Sequence, residues 1–148
     1  MRVGDCPGSQ LKNRVHIANL RLLCAGTSVH SDMLRWHSDE TPENAQRFIL
    51  NSLFGTIQYS MMLREATPET KAMIEKWIRF QNEHRETLLK GSFRPHFPHL
   101  NYPIIEAESD KERIVVVYDP AVKFDLGRVD KPTYVVNGQT GVIQEVTR

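Results

Sequence analysis

The chain has 148 residues, 40% of them hydrophobic and 25% charged, which is the make-up of an ordinary globular protein of one domain or a small domain plus a fragment. Its formal charge of +1, with Lys and Arg scattered along the chain, excludes nucleic acid as the main partner, because phosphate binding needs a concentrated basic surface. No apolar run is long enough to span a bilayer, and Cys6 and Cys24 are too few for a disulfide framework or a zinc site, so they read as free thiols.

The opening Met1-Arg-Val-Gly-Asp-Cys-Pro-Gly leads straight into a helical pattern without a basic-then-apolar signal layout. It reads as an internal slice of a longer protein. Leu11, Val15, Ala18 and Leu22 follow helical spacing over residues 11–23, and Gly26 ends that stretch. A short strand, Thr27-Ser28-Val29, then runs into His30-Ser31-Asp32, with Trp36 and His37 just beyond. Polar and aromatic residues at the end of a strand between helices form the active-site edge of β/α enzymes. Thr41, Pro42 and Glu43 open a second helix, expected over 41–63, with a stripe of Ala45, Ile49, Leu53, Ile57 and Met61. Thr67, Pro68 and Glu69 open a third, expected over 67–90, with Met73, Trp77, Phe80, His84 and Leu88 as its stripe and Gly91 as its stop.

After Gly91 the pattern turns to β. Pro95, Pro98 and Pro103 break the chain into loop and edge-strand pieces. Residues 104–107, 113–118, 122–126, 133–136 and 141–146 are strand candidates, with turns at Asp119-Pro120 and Asn137-Gly138. The expectation is a small antiparallel module over 92–148 following a helix-rich part over 1–91.

The candidate site residues each have a plain alternative. Asp5 lies in a Cys-Pro-Gly turn, as a catalytic carboxylate or a turn residue. Asp32 is a site carboxylate, a helix cap or a partner of Arg35. His30 orients a polar ligand or sits buried on a backbone carbonyl. Trp36 stacks on a sugar ring or packs in the core; Trp77, on a helix stripe, belongs to the core. His96-Phe-Pro-His99 has the spacing of a metal pair but lacks a supporting cluster, so it reads as loop, and neither a metal nor a cofactor is expected.

In succession these residues resemble the closing segments of the melibiase-like α-galactosidases, retaining glycoside hydrolases. The motifs are Asp5-Cys6, Arg14-Val-His-Ile17, Thr27-Ser-Val-His-Ser-Asp32, Leu53-Phe54-Gly55, His84-Arg-Glu-Thr-Leu-Leu-Lys-Gly91 and Ile114-Val-Val-Val-Tyr118. The resemblance implies the last segments of a (β/α)8 barrel (1–91) followed by a small C-terminal antiparallel β domain (92–148), with the active site at the carboxyl ends of the barrel strands. It implies Asp5 as general acid/base and His30, Asp32 and Trp36 as the sugar-contacting wall. In that family the nucleophilic aspartate precedes the acid/base, so the expectation is a chain that lacks it and is inactive alone. The implied partner is an oligosaccharide or glycoside, with neither nucleic acid nor membrane involved, and a homo-oligomer is left open. A non-catalytic helix-plus-sheet scaffold or sugar-binding module is the alternative.

Overall fold

The computed structural model describes residues 1, 9–24, 26–37 and 39–147. Asp5 and Cys6 lie outside the described residues. In chain order the main elements are α1 (Gln10–Leu23), β1 (His30–Leu34), α2 (Pro42–Leu50), β2 (Thr56–Tyr59), α3 (Pro68–Glu83), α4 (Arg85–Lys90), β3 (Ser92–His96), β4 (Ile104–Glu108), β5 (Arg113–Val117), β6 (Thr133–Asn137) and β7 (Ile143–Val146), with single 3-10 turns at Leu63–Glu65 and Pro98–Leu100.

Local chemistry sets the helix starts. Thr41 accepts from the Asn44 amide and Thr67 from the Thr70 amide, each followed by proline, which needs no N–H partner in the first turn. The second helix stops short of its expected length. Asn51 Nδ2 donates to Arg47 O (2.8 Å) and Ser52 Oγ to Phe48 O (3.0 Å), so side chains occupy carbonyls of the helix's last turn. After Gly55, Thr56-Ile-Gln-Tyr59 is β-branched and aromatic enough to form β2, so Ile57 stands on a strand rather than on the helix stripe. The third helix breaks at His84 (φ −103°, ψ 16°), where Nδ1 meets Glu112 Oε2 at 2.9 Å. That contact ties the α3–α4 joint to the β4–β5 turn.

β1 and β2 are parallel neighbours in a two-stranded sheet, joined through α2. The register shifts between His30 and Met33. Ser31 Oγ fills the irregularity by accepting from the Gln58 amide (3.0 Å) and donating to Asp32 O (2.7 Å). The second sheet has five strands in the order β3-β4-β5-β6-β7, antiparallel except for the parallel pair β5–β6. Pro95, without an N–H, sits on edge strand β3.

The parallel pair explains one failed expectation. A parallel neighbour cannot be reached by a hairpin and needs a crossover. Residues 119–132 supply it, which is why 122–126 forms no strand. Asp119 Oδ1 accepts from Ala121 N and Asp125 Oδ1 from Gly127 N, curling the strap at two points. The strap lies over one face of the sheet, held by Phe124 on the His96 ring (centroids 4.8 Å), Arg113 Nη1 on Leu126 O (2.7 Å) and Lys131 Nζ on Glu108 Oε1 (2.9 Å).

The opposite face packs on the helices. Ile105, Ala107, Ile114, Val116 and Val136 share one core with Ile17 and Ala18 of α1, Ile49 and Leu50 of α2, Trp77 and Phe80 of α3, and Leu88 of α4. The expected architecture is therefore corrected. The described residues form a mixed α/β structure with four α-helices and sheets of two and five strands; they include no closed barrel, and the larger sheet is mixed rather than antiparallel. The physical reason is burial. Apolar stripes on both sides of Gly91 meet in one continuous core, so the sheet's inner face is covered by the helices.

Candidate functional site

Side-by-side parallel strands point their carboxyl ends at the same place, where α/β proteins collect binding groups. Here those ends are Leu34 and Tyr59. Leu34 is fully buried and anchors β1, so the chain turns outward through Arg35-Trp36-His37. Trp36 is half-buried and leans on Phe48 of α2, ring centroids 6.1 Å apart and planes tilted by 37°. Ser60, Met61 and Met62 leave β2 alongside.

These two exits enclose a pocket of about 240 Å³, lined by Arg35, Trp36, His37, Glu40, Ser60 and Glu65 together with Met61, Met62, Ala66 and Thr70. The volume lies below the ~300–1,000 Å³ of drug-sized sites, which suits one small polar ring rather than a chain of them. Glu40 Oε1 accepts from the Thr41 amide (3.2 Å). Glu65 meets Arg64 Nε at 3.7 Å, an exposed pair that contributes little to stability. The pocket thus combines an aromatic face held by the core, a hydroxyl, an imidazole and charges of both signs.

The structure separates the residues expected to form one wall. Trp36, with neighbouring His37, lines the pocket. His30 opens β1 at the other end, its Nε2 3.2 Å from Ser28 Oγ. At about 3.3 Å per residue, the strand places His30 roughly 13 Å from Leu34. Asp32 lies between them, buried inside the strand, with Oδ1 accepting from the Met33 amide at 2.7 Å. His30-Ser31-Asp32 is therefore strand interior and strand start, and the chain exits β1 beyond Leu34. The pocket lining also brings in Arg35, Glu40, Ser60 and Glu65, which the sequence does not single out as site residues. Ser60 and Glu65 were recoverable only by reading Thr56-Ile-Gln-Tyr59 as a strand.

A second concentration of charge lies on the strap-covered face of the larger sheet. Glu106, its side chain 3% exposed, takes Arg94 Nε at 2.8 Å, His96 Nε2 at 3.0 Å and Arg113 Nε at 2.6 Å. Burial pushes its carboxyl up, but the hydrogen bonds from Arg94, Arg113 and His96 outweigh it and hold the group below its ordinary value. Hydrogen bonds from Lys131 and Arg94 hold Glu108 down likewise. With both Glu106 oxygens engaged, this cluster is a clamp on the strap rather than an acid/base group.

No protein-family model, no curated protein and no solved structure matches the chain.

Proposed function

We propose that the Trp36 pocket is a sugar subsite and that the chain serves α-glycoside chemistry of the kind its motif succession resembles, binding sugar without hydrolysing it alone. The observation that supports this reading most is the placing of a core-held indole beside His37, Glu40, Ser60 and Glu65 at the carboxyl ends of two parallel strands. An aromatic face suits the C–H surface of a pyranoside, and the polar groups around it suit ring hydroxyls. Retaining hydrolysis needs two carboxyl groups about 5–5.5 Å apart across the scissile bond. Glu40 accepts from a helix-start amide and Glu65 stands beside Arg64, and the polar rim they form around the indole is what a bound sugar would meet.

Tryptophan fluorescence tests the reading directly. The chain has two tryptophans, and Trp77 is fully buried, so a saturable change on adding methyl α-galactoside is expected from Trp36. The change should vanish in Trp36→Phe, with the fold intact by circular dichroism. An aryl α-galactoside should not be turned over by the purified chain. A flat titration would reject the sugar subsite and leave the helix-on-sheet scaffold as the better reading; measurable turnover would reject the non-hydrolytic assignment.

A further inference from the structure

A second cavity lies away from the Trp36 pocket, at the amino ends of the same two strands. About 700 Å³ in volume, it is bounded by the end of α1 (Arg21, Leu22, Cys24), the turn at Gly26-Thr27-Ser28, Thr56 at the start of β2, α4 (Arg85, Leu89, Lys90) and the start of β3 through Phe93. Leu22, Leu89 and Phe93 supply an apolar wall, and Thr27, Ser28, Thr56 and Ser92 supply hydroxyls.

Its charge is one-sided. The described lining carries three cations, Arg21, Arg85 and Lys90, and no carboxylate, in a chain whose total charge is nearly balanced. Arg21 is half-buried over the Phe93 ring (4.0 Å) and donates to carbonyls, Nη1 to Phe54 O (3.1 Å) and to Leu88 O, Nη2 to Leu89 O (3.4 Å). Burial lowers its guanidinium to about 10. Lys90 also meets Glu86 at 3.0 Å, but that pair is solvent-exposed and readily exchanged. Cations gathered along one side of a cleft focus a positive potential into it. The apolar wall beside them restricts the guest to one with an apolar part.

We propose that this cavity binds a small amphipathic anion, a carboxylate or phosphate carried on an apolar ring or short chain, with Arg85 and Lys90 as its principal charge partners and Leu22, Leu89 and Phe93 against its apolar part. The site is separate from the sugar pocket and does not depend on that assignment. Its natural reporter is Cys24, a free thiol on the cavity lining.

The test uses the full chain with Cys6→Ser, so that Cys24 is the one remaining cysteine. Its alkylation by iodoacetamide, a neutral reagent, is timed with phenyl phosphate, benzoate or benzyl alcohol present. Saturable protection by phenyl phosphate or benzoate is expected at concentrations where benzyl alcohol has no effect, and whichever anion protects identifies the headgroup. Neutralising Arg85 and Lys90 together (Arg85→Gln with Lys90→Gln) should weaken that protection by about tenfold or more, as losing hydrogen bonds to charged groups does. Both side chains are exposed, so the fold should persist; Lys90→Gln alone provides the same comparison if it does not. Absence of protection by either anion, equal protection by benzyl alcohol, or unchanged affinity in the neutralised variants would each overturn the proposal.

Discussion

Glu106 concentrates more of the electrostatic design than any other single side chain described here. It reaches Arg94 on β3 and Arg113 on β5 from the strand between them, and His96 above it carries the Phe124 ring of the strap. A buried carboxylate with this many donors is stable only while it is charged. Its folded-state value lies below the ordinary 4.5, so the stability it contributes is fully present above about that pH and is lost as pH falls through the lower folded value. Glu106→Gln should therefore destabilise the protein by about 3 kcal/mol near neutrality, since it leaves the mostly buried Arg113 without its counter-charge. Denaturant unfolding across the acid range provides the check: the variant should show a weaker loss of stability on acidification than the parent. An equally steep acid limb in both would remove Glu106 as its source.

At the scale of elements, the β6–β7 hairpin depends on a contact outside the sheet. Gly141 has φ +68°, and a Cβ placed there would lie 2.5 Å from Gln46 Oε1. That same oxygen accepts the Trp77 indole N–H at 2.9 Å, while Gln46 Nε2 donates to Thr140 O at 3.0 Å. One glutamine on α2 thus joins α3 to the hairpin turn. Gly141→Ala meets a left-handed backbone and a crowded amide together and should cost about 1–3 kcal/mol. A thermal melt would show it, along with a blue-edge change in Trp77 fluorescence if the indole hydrogen bond is disturbed. A variant as stable as the parent would mean the turn relaxes away from Gln46.

For the whole molecule, the decisive feature is the single core. Trp77 is fully buried between helices and sheet, packing edge-on against Phe80 at 5.5 Å, and Tyr118 from the sheet donates to Leu50 O at 2.9 Å across the same interface. Helices and sheet that share their apolar faces should unfold together. Far-UV circular dichroism and tryptophan fluorescence are expected to trace one coincident transition. Trp77→Ala should lower stability by about 3–5 kcal/mol and shift both signals equally. Two separated transitions would show that the parts on either side of Gly91 are energetically independent.

Short-range chemistry was legible from residue types alone. Thr41 and Thr67 were readable as caps because the threonine–proline–glutamate order satisfies a helix start locally, and Asn137-Gly138 marked the turn between β6 and β7. Trp77 was readable as core from its stripe, and it is fully buried. Choices that depend on distant partners were not legible. The helical stripe through Ile57 and Met61 competes with a strand that exists only because β1 lies parallel beside it. The apparent strand at 122–126 becomes a strap because β6 takes the parallel place next to β5. Residues His30 and Trp36, close in sequence, separate to opposite ends of β1, whereas Ser60 and Glu65 join Trp36 from the far side of α2. Caps, turns and stripes are decided within a few residues by hydrogen bonds and burial; neighbour order, strand direction and pocket membership are decided by which apolar faces meet, and that was settled only when the chain closed on its core.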